Sequence, residues 1–237
     1  MAGVFLSLGF RVDVVNYDDA TTPEGPYDLV LDIHGRLGDF SKKLGSRPLF
    51  VAYATGSHWR FQNDAERRRL EDLRHRRGVS LTPRRQVASM TSIEAADAVL
   101  MLGSVATRST YPDVRVPVFM MSVTSPKAPW PEEKDFRAAA RRFLWIGGRG
   151  LVHKGLDILL EVFAGMPDLE LTVCADTAPE LDFARAYRRE LASPNVRTAG
   201  WVEGRSEAFR AACRDCAGLV SPSCSEGQSA AVAAGMH

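Results

Sequence analysis

A repeated unit constrains this chain most: an apolar, strand-like run that enters a glycine-bearing loop and leaves it as a helix. In one copy, Arg142 to Ile146 leads into Gly147-Gly148-Arg149-Gly150-Leu151-Val152-His153-Lys154-Gly155 and then a helix-patterned stretch, 156–163. In the other, 217–220 leads into Ser221-Pro222-Ser223-Cys224-Ser225-Glu226-Gly227-Gln228-Ser229, with a small-residue helix from about Ser229. Strand, loop and helix in that order predict parallel strands whose following loops gather at one sheet edge, where open α/β sheets bind ligands.

The same alternation runs through the rest of the chain. Strand candidates at 29–33, 49–53, 98–102 and 116–121 are separated by helix-like or charged stretches, and strands resume at 143–146, 169–174, 196–201 and 218–221. The proline-rich stretch 117–131 marks a linker. The sequence therefore predicts the α/β class, with two Rossmann-like parallel-sheet domains facing a cleft: residues 1–124, a linker over 125–141, and 142–237. At the amino end, 1–8 reads as the tail of a helix, Gly9 as its stop and 11–17 as a strand with Val12, Val14 and Val15 apolar. At the other end, 233–237 falls inside the helix after Glu226. The pattern reads as a fragment truncated at both ends, lacking its first strand, so both domains are expected to be incomplete.

The 237 residues are 45% hydrophobic, enough for a packed core, and 30 basic against 29 acidic residues argue against broad electrostatic binding to nucleic acid. The charge is concentrated in one place. Residues 65–77 (AERRRLEDLRHRR) are basic, open either to peripheral contact with an anionic membrane or phosphorylated acceptor, or to reading as a solvated helix in which Glu66, Glu71 and Asp72 offset part of the charge. Four cysteines make no disulfide framework, which suits a reducing, cytoplasmic setting. Cys213-Arg214-Asp215-Cys216 has half-site spacing, but no second Cys or His pair completes a metal set, so it reads as structural. Residues 1–10 lack the basic leader of a signal peptide and the length of a membrane span.

The first loop carries the features of a phosphate site. Glycines allow close backbone approach, a helix N-terminus offers unpaired N–H groups, and Arg149 and Lys154 add full charges there. Cations at a helix start are unfavourable unless an anion is bound, so a ligand with two phosphates suits the pair. Glu226 opens a helix at a strand end, where an acid also complements the dipole. In the amino-terminal half His58 and His34 both fall at carboxyl ends of strands; either serves locally as a hydrogen-bonding residue or faces the cleft. Neither G-x-G-x-x-G nor G-x-x-x-x-G-K-[ST] is present, which weakens dinucleotide and P-loop readings.

Over 143–237 these residues resemble the nucleotide-sugar-binding domain of the family 4 retaining glycosyltransferases (glycosyl transferases group 1, GT-B fold), whose signatures are Gly-Arg-Leu-x-x-x-Lys-Gly and Pro-Ser-x-x-Glu-Gly with a second glutamate further on. Arg149 and Lys154 keep the separation of the family's diphosphate-binding pair, and Glu226 and Gly227 match the first acid and its glycine. Two positions depart from the pattern: Gly150 replaces a leucine-like residue, and Ala234 stands where the second glutamate holds the ribose. The resemblance implies a nucleoside-diphosphate-sugar donor and transfer to the hydroxyl of a glycan, lipid or small-molecule acceptor with retention of configuration; no metal or other cofactor is expected, because Arg149 and Lys154 already supply the positive charge and no Asp-x-Asp motif is present. The resemblance implies that Glu226 contacts the donor sugar, that Gly227, Gln228 and Ser229 shape the floor of the pocket, and that Gly148 on the first loop binds the donor. It also implies that a histidine after a strand, best matched by His58, meets the sugar, and that the backbone at Gly200-Trp201-Val202 meets the nucleobase, although Trp201 serves equally as a core residue. The competing readings are a non-catalytic nucleotide-sugar-binding protein, for which Ala234 speaks, and a nucleotide-sugar epimerase of the same fold.

Overall fold

The computed structural model describes residues 1–19, 21, 24–45, 47–90, 92–125, 134–204 and 206–235. Its strands form two four-stranded sheets. The first contains β1 (Leu29–Asp32), β2 (Leu49–Ala54), β3 (Ala98–Leu102) and β4 (Val118–Met121), in the order β1-β2-β3-β4. The second contains β5 (Arg142–Ile146), β6 (Glu170–Cys174), β7 (Val196–Thr198) and β8 (Gly218–Leu219), in the order β7-β6-β5-β8, with every pair parallel. In the first sheet Leu29 pairs with Leu49 and Val51 with Ala98, also in parallel. The expected α/β fold with two parallel sheets is what the chain forms. Residues 126–133, in the first half of the expected linker, lie outside the described residues.

The chain makes two compact units that are not continuous in sequence. One comprises Met1–Ala54, Ser89–Met101 and Asp113–Phe119; the other comprises Thr55–Ala88, Leu102–Pro112 and Met120–His237.

Within the first unit the expected amino-terminal helix is present at Ala2–Ser7, and Gly9 ends it at φ 88°, a conformation glycine adopts without Cβ strain. The expected strand over 11–17 is not there. A strand needs a neighbour to take its backbone hydrogen bonds, and β1, at the sheet edge, pairs with β2 alone, so Val14 and Tyr17 stand 78% and 66% exposed. That segment is held by side chains instead: the Arg36 guanidinium donates to the Asp19 and Thr21 carbonyls, and the Tyr27 hydroxyl to Asp13.

The second unit explains why its sheet is parallel: both faces are covered. Along β5 and β6, Trp145, Leu171 and Val173 enter a cluster with Leu151, Leu156, Leu160 and Phe163, while Leu144 and Cys174 enter one with Val202, Phe209, Cys213 and Cys216. Each fully buried leucine contributes roughly 1.5–3 kcal/mol. Cys213 and Cys216 are therefore apolar packing groups, and burial pushes the Cys213 thiol up to about 11.

Helix Trp59–Arg77 belongs to this unit because Leu73, fully buried, packs into the first of those clusters. Its basic run is largely paired within the protein. Arg76 bonds Asp157 and Glu161, both at 3.0 Å, and Arg69 lies 3.6 Å from Asp157 and donates to the Pro222 carbonyl. Arg77 pairs with Glu190 at 2.6 Å and lies over the Tyr187 ring. Arg67 and Arg74 pair with Asp64 and Glu71 on the helix surface.

The chain beyond this helix is tied back by Asp182, which accepts from the Thr82 N–H and pairs with Arg84. Burial alone would raise the Asp182 pKa. The Thr82 amide, the Arg84 guanidinium and the Phe183 amide outweigh it and bring the pKa from 3.8 down to about 2. A carboxylate with a depressed folded-state pKa stabilises the fold above its unfolded pKa and ceases to do so as the pH falls through its folded one. Stability is thus expected to decline between about pH 4 and pH 2, and Asp182→Asn to reduce that decline. Urea denaturation at stepped pH checks this; an unchanged acid slope in the variant would exclude Asp182 as a contributor.

Candidate functional site

The glycine loop leaves β5 at Gly147 and is folded back on itself before its helix, Leu156–Ala164, begins. Leu151, Val152 and His153 point inward and are buried, and the Lys154 N–H bonds the Gly150 carbonyl in a single turn. Two glycines make that path accessible: Gly150 at φ 87° and Gly155, the helix N-cap, at φ 81°. Arg149 is exposed and forms no ion pair among the described residues, whereas Lys154 is half-buried.

Not every loop N–H faces outward. Glu180, 4% exposed, accepts from Gly150 at 2.5 Å and from Leu151 at 3.2 Å. This buried acid shapes the loop from within, and nothing in the local motif signals it.

The second loop is stapled residue by residue. His153 holds it twice: its carbonyl accepts from Cys224 N–H at 2.9 Å, and its Nε2 lies 3.0 Å from the Ser225 carbonyl. A carbonyl only accepts, so Nε2 carries the proton and Nδ1, 3.6 Å from the Cys224 sulfur, is the acceptor for that thiol. Burial holds the His153 pKa below its usual value, consistent with a neutral ring. His153 joins the two loops, a role its sequence position did not reveal. Further along, Ser57 Oγ donates to the Glu226 carbonyl at 2.8 Å and Thr107 Oγ1 to the Gly227 carbonyl at 3.2 Å. Gln228 Oε1 accepts from Val123 N–H at 2.6 Å, and Ser229 Oγ receives the Val232 N–H of helix Ala230–Gly235.

With the backbone so occupied, the Glu226 side chain is left to form an ion pair with Lys154. The two residues singled out from separate motifs, 72 positions apart, meet directly. Gly227 is the only residue type that fits its place: an added Cβ would lie 2.7 Å from the Leu102 carbonyl oxygen and 2.9 Å from Gly56 Cα.

His58 caps helix Trp59–Arg77, its Nδ1 accepting from Arg60 N–H at 3.3 Å, so the neutral ring carries its proton on Nε2. Its own N–H bonds Thr110, and its ring meets the edge of Tyr111, whose hydroxyl donates to the Gly56 carbonyl at 2.8 Å. His58 thus sits on the 56–58 loop that abuts Glu226 and Gly227. His34, in the other unit, lies in a turn organised by Asp32, which accepts from the His34, Gly35 and Arg36 amides. The Val202 side chain is core, whereas Trp201 is 66% exposed and its ring comes within 3.9 Å of where a Cβ on Gly148 would stand.

Among the described residues no three His, Cys, Asp or Glu side chains gather as a metal ligand set, and no helix is long and apolar enough to cross a membrane.

Neither a protein-family model nor a curated protein matches the chain. Solved structures do match its fold. TarM aligns with a TM-score of 0.56 and 14% identity, over 88% of this chain and 39% of its own. Sucrose-phosphate synthase from Thermosynechococcus elongatus aligns with a TM-score of 0.56 and 15% identity, over 89% of this chain and 54% of its own. A mutant TarM from S. aureus in complex with fondaparinux, alpha-GlcNAc-glycerol and UDP aligns with a TM-score of 0.54 and 13% identity, over 84% of this chain and 38% of its own. The likeness is one of fold, GT-B, and the chain spans 38% to 54% of the length of these structures.

Proposed function

We propose that this GT-B chain binds a nucleoside-diphosphate sugar and belongs to a cytoplasmic, retaining glycosyltransferase that passes the sugar to an acceptor hydroxyl. The observation that carries the reading is the direct pairing of Lys154 with Glu226, together with the exposed Arg149 on the same glycine loop, which forms no ion pair among the described residues. Sugar transfer from a diphosphate makes two electrostatic demands: neutralising the leaving phosphates and steadying positive charge on the sugar. Arg149 and Lys154 answer the first, the guanidinium fork and the ammonium taking different oxygens. Glu226 answers the second, holding sugar hydroxyls beside the developing charge, with His58 on the adjoining loop as the histidine that meets the sugar. Same-face attack, with the leaving phosphate accepting the acceptor's proton, requires no separate base.

A non-catalytic binding protein is the second reading. Ala234 favours it, since it packs against the apolar cluster around Leu144 and offers no carboxylate to a ribose.

Thermal-shift screening against UDP-, GDP- and ADP-sugars, followed by turnover with the best donor, tests both. Glu226→Gln is expected to lower turnover at least tenfold while shifting the melting point by only a few degrees, since a partly exposed ion pair such as that with Lys154 contributes about 1 kcal/mol or less. Stabilisation by a donor with no turnover in the wild type would favour the binding protein. Wild-type turnover in a folded Glu226→Gln would remove the acid from the site.

A further inference from the structure

The segment that follows helix Trp59–Arg77 is fixed with unusual thoroughness. Glu66, 1% exposed, accepts from the Arg84 and Arg85 amides, both at 2.9 Å, and from the Gln86 side chain at 2.7 Å. Gln62 donates to the Arg85 carbonyl at 2.7 Å, and Asn63 bonds both the N–H and the carbonyl of Val87. Burying a carboxylate is costly unless it is fully hydrogen-bonded, and here its partners are two successive backbone amides and the Gln86 side chain of one short stretch.

That stretch delivers Arg85 to the glycine loop. Its side-chain stem lies directly over Gly150, so close that Cδ would stand 2.9 Å from an added Cβ. The place where this chain departs from the leucine-like residue is therefore the place where an arginine crosses the loop, between Arg149 and Lys154. Arg85 is exposed and, unlike Arg69, Arg76, Arg77 and Arg84 of the same unit, enters no ion pair among the described residues. A Cβ on Gly150 would also stand 3.4 Å from His153 Cβ, so Arg85, Gly150 and His153 meet at one place, and the Arg85 and Lys154 charges both disfavour protonation of His153.

We propose that Arg85 is a third phosphate-binding side chain of the glycine loop, completing with Arg149 and Lys154 a cationic rim for the diphosphate of the donor. This rests on the diphosphate reading above. Gly150 admits the stem, Glu66 sets the backbone, and the guanidinium supplies a planar fork for phosphate oxygens.

The test is calorimetric titration of the whole chain with inorganic diphosphate, and with UDP, GDP and ADP. Arg85→Ala is expected to weaken diphosphate binding roughly tenfold to a hundredfold, with Arg85→Glu weaker still and both melting near the wild type, because the hydrogen bonds to Glu66 and Gln62 come from backbone. Arg68→Ala, which removes another exposed arginine of the same unit, should change binding little. Wild-type affinity in Arg85→Ala, alongside weakened binding in Lys154→Ala, would refute the role of Arg85 alone. An equal loss in Arg68→Ala would reduce it to a general charge effect and likewise refute it. A wild type that binds neither diphosphate nor any of the nucleotides would overturn the underlying reading as well.

Discussion

Lys154→Ala is expected to weaken nucleoside-diphosphate binding by about a hundredfold, the largest ligand effect of any single side chain here. A charge-assisted contact contributes roughly 1.5–3 kcal/mol, or about tenfold to a hundredfold in affinity. Lys154 lies at the upper end because its loss acts twice. It removes a cation from the phosphates and leaves the Glu226 carboxylate without the partner that now neutralises it, so an acid faces the incoming anion. Nucleoside without phosphate should bind as before, since neither charge is aimed at the base. Titration with the diphosphate and its nucleoside distinguishes the cases; equal losses for both ligands would mean that Lys154 shapes the loop rather than holding phosphate.

Gly155→Ala is expected to be a strongly damaging small substitution, destabilising the chain by roughly 2–5 kcal/mol. At φ 81° a Cβ costs about 1–2 kcal/mol in backbone strain alone. The new methyl would also stand 2.5 Å from the Pro222 carbonyl oxygen and 2.8 Å from its carbon, atoms of the opposing loop that Arg69 already holds. Overpacking of that kind typically costs a further 1–3 kcal/mol, about as much as the strain. Urea denaturation would show a lower midpoint, and the two loops should part, weakening diphosphate binding as well. Gly148→Ala offers the contrast: its nearest neighbour is 3.9 Å away and its φ is not positive, so it should be nearly neutral. Comparable destabilisation by both would show that generic loss of glycine flexibility, not the fit at Pro222, sets the cost.

Much of this architecture is legible in the chain itself. Apolar runs of strand length, separated by helix-patterned stretches, are local signals, and β3 occupies the stretch they mark, Ala98–Leu102. The glycine loop is legible too, because residues that tolerate positive φ and the charges beside them lie within a few positions of one another. The strand reading at 11–17 shows where such signals stop: Val12, Val14 and Val15 have the composition of a strand, but a ladder is a property of two segments, and among the described residues no neighbour pairs with it.

The site's internal supports were decided only by tertiary structure. Glu180 reaches the glycine loop from 30 residues away, Glu66 fixes the backbone of Arg84 and Arg85 from 18 and 19, and His153 clasps Ser225 from 72. Gln228 and Ser229, read as pocket floor, have side chains engaged with Val123 and with the start of the last helix. Each role depends on which buried donor meets which acceptor once the sheets have formed, and side-chain type alone leaves many pairings open. The sequence by itself determined where the strands, turning glycines and cations lie, because those follow from local propensity and charge. Folding decided which acid neutralises Lys154 and which acids hold the loops, because buried polar groups must be paired and only the packed chain brings their partners within 3 Å or so.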